Sequence, residues 1–177
     1  MTHIRVATNL DRDSIREIHL CAFTEGENQR VSALSVNLLD EETNPKTISL
    51  VAEVDGVVVG HIAFSPVRIN NNKSWSGYIL APLGVMPEYQ KRHIGSKLIE
   101  SGMERLFTMG VNIVFVYGDP KYYGKFGFNA DAASKYSPPC ELKYPIGWQA
   151  VMLNEDVFTE SEVKISCVVP LIDPELW

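Results

Sequence analysis

The densest run of chemistry-bearing residues is Leu83-Gly84-Val85-Met86-Pro87-Glu88-Tyr89-Gln90-Lys91-Arg92-His93-Ile94-Gly95-Ser96. It reads as an apolar strand, a short donor-rich loop and the start of an amphipathic helix. The first N–H groups of a helix have no partner inside it, and the dipole there favours an anion. Lys91 and Arg92 add charge, Gly95 lets the backbone approach a ligand closely, and Ser96 brings a hydroxyl. Together they describe a cradle for a pyrophosphate. On residue types alone, a basic helix start that holds no ligand is an equally fair reading. Two better-known phosphate motifs are excluded by order. A Walker loop needs Lys followed by Ser or Thr, whereas the run here is Gly95-Ser96-Lys97, and a dinucleotide fingerprint needs three spaced glycines.

A second cluster lies downstream, in Gly118-Asp119-Pro120-Lys121-Tyr122-Tyr123-Gly124-Lys125-Phe126-Gly127-Phe128. Tyr122 and Tyr123 each offer a phenol that can donate a proton, but neighbours on a helix point about 100° apart and only one can face a given atom. Asp119 followed by Pro120 has the form of a helix N-cap with proline in the first turn. Glu53 and His61 fall on strands, and their facing cannot be read. His19 and Cys21 do not make a Cys/His pair, because residues two apart on a helix do not meet. His19 reads instead as a packed histidine on an apolar face.

The elements that must hold these residues follow from periodicity. Ile4 and Val6 alternate as a short strand. Asp11 or Asp13 can cap a helix carrying Ile15, Ile18, His19, Ala22 and Phe23 on one face, and Val31, Leu34, Leu38 and Leu39 predict a second helix over 29–39. Strands are expected over 48–54 and 57–69, joined by a tight turn at Asp55-Gly56. Asn70 to Lys73 reads as a polar turn, and 75–85 as a third strand. Pro82 inside that strand calls for a bulge or a splayed end. Ile94, Leu98, Met103, Leu106 and Phe107 predict a helix face, stopped by Gly110. A buried strand of parallel type follows over 111–116, then a short aromatic helix over 121–126 ending at Gly127. Strands near 149–153 and 163–169 close the pattern, after a proline-rich stretch over 137–145.

The run Leu83 to Ser96 resembles the acetyl-CoA motif of the GNAT N-acetyltransferase family, Gln/Arg-x-x-Gly-x-Gly/Ala, with Gln90 first and Gly95 last. His93 stands where the first glycine is usual. Tyr123 to Phe128 resembles the family's Tyr-x-Lys-x-Gly-Phe segment, and 118–123 is similar to a bacterial subgroup of acetyltransferases. The resemblance covers roughly the first three quarters of the chain. It implies an α/β (mixed α+β) fold of the acyl-CoA N-acyltransferase type, with a central twisted mixed sheet flanked by helices and a splayed strand pair that holds CoA. It implies that Leu83, Gly84 and Val85 pair with the pantetheine arm, and that Gln90, Lys91, Arg92, His93, Ile94, Gly95 and Ser96 hold the pyrophosphate. Tyr123 is then the catalytic acid and acetyl-CoA the co-substrate, with no metal. The reaction implied is direct attack of a primary amine on the thioester. An inactive CoA-binding sensor on the same fold is the alternative that His93 suggests.

Composition bounds the rest. The chain has 177 residues, 45% hydrophobic, with a formal net charge of -6, so a folded domain is expected (residues 1–177 as one unit, with a core over 1–130 and C-terminal strands over 131–177). Clustered Lys and Arg for nucleic acid are lacking. Three scattered cysteines without metal spacing suit a reducing cytoplasm, and no run reaches the about 20 apolar residues that would span a bilayer. The family places the acceptor against segments equivalent here to 25–47 and 134–148. Glu25, Glu27, Asp40, Glu41 and Glu42 would suit a cationic amine there, or form an ordinary solvated surface. Exposed strand edges allow a homodimer.

Overall fold

The computed structural model describes residues 1–69, 72–155 and 162–177, which form two compact units. The first comprises Met1–Phe64 and Ala81–Gly102, the second Ser65–Leu80 and Met103–Trp177.

In the first unit, β1 (Thr2–Val6) pairs antiparallel with β2 (Ile48–Val54), and β2 pairs antiparallel with β3 (Val57–Val67). Asp55 and Gly56 take φ of 51° and 79°. Two left-handed residues in a two-residue loop match the right-handed twist of the strands they join, which is why Asp-Gly is favoured there. The hairpin is not regular. Glu53 faces Val58 but Ala52 faces Gly60, so Val59 is an extra residue and every pairing beyond it is shifted by one. The carbonyl of Val59 accepts the Met86 N–H at 2.8 Å, just past the end of β4 (Gly77–Val85).

Helices α1 (Arg12–Ala22) and α2 (Asn28–Asp40) turn Ile15, Ile18, His19, Leu34 and Leu38 inward. Asp11 precedes α1 but does not cap it. Its carboxylate closes a capping box with Thr8 and accepts two bonds from Arg5 at 2.8 Å, while Arg5 also pairs with Glu53. These bonds hold the Asp11 carboxyl below its usual range, the Arg5 hydrogen bond being the largest cause. Helix α3 (Ile94–Thr108) buries Ile94, Leu98, Ile99 and Gly102. Gly102 is small for a steric reason, since a Cβ there would overlap the wholly buried ring of Phe64.

In the second unit, Gly77–Leu80 of β4 pairs parallel with β5 (Ile113–Tyr117), and β7 (Trp148–Met152) pairs antiparallel with β5. β6 (Tyr136–Ser137) and β8 (Val163–Lys164) form a small parallel pair. The main sheet thus has the order β1-β2-β3-β4-β5-β7, mostly antiparallel, with β3 and β4 contributing residues to both units. Aromatic packing makes the core of the second unit: Phe115 stacks on Trp148 at 5.1 Å and meets Tyr136 edge-on at 5.2 Å. The Trp75 indole donates to the Tyr136 hydroxyl and the Trp148 indole to the Tyr136 carbonyl, so the buried polar edges are satisfied.

Three expectations change. Phe107 is 56% exposed, one helical step beyond the buried Leu106, and Ile99 with Gly102 lies on the inner face instead. Asp11 closes a 3-10 turn rather than capping α1. The strand expected over 163–169 is only two residues long and gives way to a 3-10 turn at Val169–Leu171. Pro82 lies within β4, preceded by a cis peptide bond; β4 runs on to Val85 while its ladder with β5 stops at Leu80, in keeping with the splayed end expected there. The turn expected over 70–73 falls partly outside the described residues.

Gly102→Ala is expected to lower stability by about 1–3 kcal/mol through overpacking against Phe64. A urea unfolding curve checks this, and an unchanged midpoint would mean that the ring moves aside freely.

Candidate functional site

The loop that leaves β4 is shaped by two left-handed residues. Lys91 has φ of 60° and His93 φ of 61°, with Arg92 between them outside that region. Alternation of hand along a short segment turns successive N–H groups to one side, the arrangement of an anion-binding nest. Histidine is among the few residues enriched at positive φ, so the missing glycine at position 93 does not cost the conformation. The His93 carbonyl accepts the Lys97 N–H at 3.0 Å and so begins α3, leaving the first N–H groups of that helix beside the nest.

The side chains around it divide into braces and charges. Gln90 donates from its amide to the Val85 carbonyl at 3.1 Å, closing the loop over 85–90. Arg92 lies over the Tyr89 ring at 5.1 Å, a cation–π contact that holds an exposed guanidinium at the loop. Lys91 and His93 are exposed, Gly95 and Ser96 half-buried, and Ile94 is buried as the anchor of the helix start. All seven residues expected at the pyrophosphate therefore lie in one turn of chain and the first turn of α3, within the first unit.

The strand segment before the loop also has a distinctive backbone. The ladder between β4 and β5 ends at Leu80 facing Val116, whereas β4 runs on to Val85. Among the described residues no β5 pairing reaches Leu83, Gly84 or Val85. Gly84 is glycine for room, since a Cβ there would stand 2.7 Å from His19 Nδ1 and 3.2 Å from Ile18 Cγ2.

That contact exposes a feature the sequence did not yield. His19 Nε2 lies 2.8 Å from His61 Nδ1, and His61 Nε2 lies 2.7 Å from Ser49 Oγ. Both rings are wholly buried, and the other ring nitrogen of His19 has no hydrogen-bond partner. Burial lowers the His19 pKa to about 3 and pushes His61 well below its ordinary value, with the neighbouring His19 adding to the second shift and Asp11 opposing it. Both are neutral. His19 was legible as a packed residue. His61 and Ser49 were not, because their shared face depends on the bulge at Val59.

In the second unit, Asp119 caps α4 (Pro120–Tyr123), its carboxylate accepting the Lys121 N–H at 3.0 Å, and a 3-10 turn carries the chain to Gly127 at φ 90°. Asp119 is thus a structural cap. The half-buried Tyr123 ring lies against Gly118, where a Cβ would come within 2.5 Å of Tyr123 Cε2, and meets Tyr122 and Phe128 edge-on. Burial, then Tyr122 and Asp119, raises the Tyr123 phenol above its ordinary value, so it stays protonated. Tyr122 instead packs on Phe126 under the Lys125 ammonium, 4.5 Å away. Cys21 is exposed and donates a hydrogen bond to Glu17, whereas His19 is wholly buried, and Glu53 is held by Arg5. No group of three or more metal-ligating side chains occurs among the described residues, and no helix among them is long and apolar enough to cross a membrane.

The model of the acetyltransferase (GNAT) family matches residues 12–128. The Escherichia coli K12 protein YjhQ, named an uncharacterized N-acetyltransferase, is 38% identical over 137 residues, which is 77% of this chain and 72% of YjhQ. The crystal structure of a GNAT family acetyltransferase from Brucella melitensis in complex with acetyl-CoA is 32% identical. It has a TM-score of 0.72 and covers 92% of this chain and 94% of its own. That of YhbS from Escherichia coli in complex with CoA has a TM-score of 0.78 at 26% identity, covering 93% and 88%.

The neutral histidines predict an acid-sensitive fold. Unfolded, each ring titrates near the reference value of about 6.5 and takes up a proton that the folded protein refuses. Their contribution is therefore fully present above that value and falls as pH drops towards the folded pKa, by up to about 1.4 kcal/mol per pH unit for each ring. Asp11 adds its own loss only as pH falls through and below the ordinary carboxylate value. Urea midpoints measured from pH 7 to 4 should fall steadily in the wild type and less steeply in His61→Asn.

Proposed function

The chain belongs to the GNAT acetyltransferase family, and on that premise we propose that it moves an acetyl group from acetyl-CoA to a primary amine by direct attack. The observation that carries the reading is the pair of left-handed residues, Lys91 and His93, which keeps the anion-binding backbone at the start of α3 without the family's glycine. The residues fit the co-substrate on two further counts. Lys91 and Arg92 supply exposed positive charge for a pyrophosphate, and among the described residues β4 beyond Leu80 has backbone that no β5 pairing takes up, open to an amide-bearing arm. The reading of a CoA-binding module without turnover rested on His93, and the φ of that residue weakens it.

In this proposal the residues of the chain do four things. The N–H groups of Lys91 to Ser96 and the two cations hold the pyrophosphate. The backbone of Leu83, Gly84 and Val85 pairs with the pantetheine arm and orients the acyl carbonyl, whose negative charge a strand N–H can stabilise as it develops. Acetyl-CoA supplies the activated thioester, so no side chain has to act as a nucleophile. Tyr123 is assigned by its match to the family motif. Its raised pKa defines the role more closely: a thiol titrates near about 8.5 and tyrosine near about 10, so full transfer from this phenol to a thiolate is uphill. Tyr123 therefore donates a hydrogen bond to the departing sulfur, and the proton that finally settles there comes from the ammonium formed on the attacking nitrogen.

The acceptor is a primary amine of a small molecule or protein. The cationic class is supported by the exposed Glu25, Glu27, Asp40 and Glu42, although Asp40 is engaged by Arg12.

A thiol-release assay over amines of several classes tests the reading. Turnover with at least one class is expected, and Tyr123→Phe should lower kcat by about 10²–10³ while leaving acetyl-CoA affinity nearly unchanged. Release of thiol that depends on no amine would contradict it. For the cradle, His93→Gly should bind acetyl-CoA as well as the wild type, whereas His93→Val, with a branched side chain at positive φ, should bind at least about tenfold more weakly. Equal binding by both variants would show that the left-handed turn is not needed.

A further inference from the structure

The buried histidine pair has no place in the chemistry above, yet it is built with care. Its chain of contacts crosses three elements: Ser49 on β2, His61 on β3 and His19 on α1, linked by bonds of 2.7 and 2.8 Å. At the far end, the edge of the His19 ring rests on β4 at Gly84, with Nδ1 and Cε1 at 2.7 and 2.8 Å from the place a Cβ would occupy. A nitrogen left without a partner in a closed core is uncommon and costs stability. Here that nitrogen is the one that faces the glycine.

Two roles are conceivable for such a chain, and burial separates them. A proton relay needs its open end to reach a substrate, but His19 is 0% exposed and its open nitrogen lies against Gly84. A strut needs only rigid contacts. Each ring has one proton to share between two nitrogens, so the direction of donation at Ser49 sets the tautomer of His61, and that sets the tautomer of His19. The hydrogen bonds fix both ring planes, and the His19 edge fixes how closely Gly84 approaches α1. Because both rings are held neutral by burial, the strut keeps one charge state across the working pH range.

We propose that Ser49, His61 and His19 form a buried strut that positions the Gly84 backbone of β4 for the acyl arm of the co-substrate, with His19 as the positioning residue. The inference rests on the reading of Leu83–Val85 as the segment that receives that arm. It assigns to His19 an effect on the placing of the acyl carbonyl, and none on the pyrophosphate cradle.

Ser49→Ala tests it, because it cuts the far end of the strut without altering either ring or β4, and Ser49→Thr restores the hydroxyl. The first readout needs no ligand: the backbone amide resonances of Gly84 and Val85, together with the ring nitrogen signals of His19, should shift in Ser49→Ala and return in Ser49→Thr. The second is kinetic: kcat should fall about tenfold in Ser49→Ala, as misplacement of a reacting group would cause, with affinity for free CoA within about twofold of wild type. His19→Gln, which retains a polar atom for His61 but removes the ring edge from Gly84, should lower kcat further. Unmoved amides in a folded Ser49→Ala would overturn the strut, as would moved amides with unchanged kcat. If the amides move while the wild-type protein neither binds nor uses acetyl-CoA, the strut stands as a device for shaping β4 and the acetyltransferase reading is what fails.

Discussion

A chain that passes from the end of β4 into the first turn of α3 must reverse the hand of its backbone twice within three residues, at Lys91 and His93. Most of the site depends on that constraint. Were either residue held in the ordinary helical or extended region, the N–H groups of 91–93 would scatter and α3 would start elsewhere. Left-handed φ costs an L-residue about 1–2 kcal/mol, and histidine is one of those that bear it. The cost is tolerated because the loop is held from both sides, by Gln90 on the Val85 carbonyl and by the helix that begins on the His93 carbonyl.

The same loop is tied back to the hairpin. The extra residue of the bulge, Val59, accepts the Met86 N–H, so an irregularity in β3 fixes the point at which β4 becomes loop. The bulge also sets the face of His61, and through it the contact of His19 with Gly84. A glycine in β4 and a one-residue shift in β3 are thus two parts of one arrangement. Its polar atoms are buried and neutral, which suits a support that must not change with pH. The parallel ladder of β4 with β5 ends at Leu80 and Val116, and among the described residues β5 pairs with none of the β4 backbone beyond it.

Much of this was legible in the sequence. The order of elements as far as Phe128, the Asp55-Gly56 turn, the stop at Gly110, the Asp119 cap and the donor-rich loop all follow from local rules of spacing and chemistry. What stayed hidden was non-local. Val59 resembles any other valine in a strand, so the bulge and the face of His61 could not be read, since a slip of one residue reverses every side chain beyond it. Positive φ at Lys91 and His93 was invisible because neither is glycine. Asp11 looked like a helix cap, and only the approach of Arg5 from β1 explains its different role. Phe107 was placed on the inner face by a pattern that Ile99 and Gly102 fit better.

If the backbone of 91–96 holds a pyrophosphate attached to an acyl thioester, calorimetric titration of the wild-type protein with acetyl-CoA, beside free CoA and ATP, will show it. Micromolar binding of acetyl-CoA and CoA is expected, and none of ATP. No heat from acetyl-CoA up to millimolar concentration would contradict it, and the left-handed turn at His93 would then be a feature of the fold without a ligand.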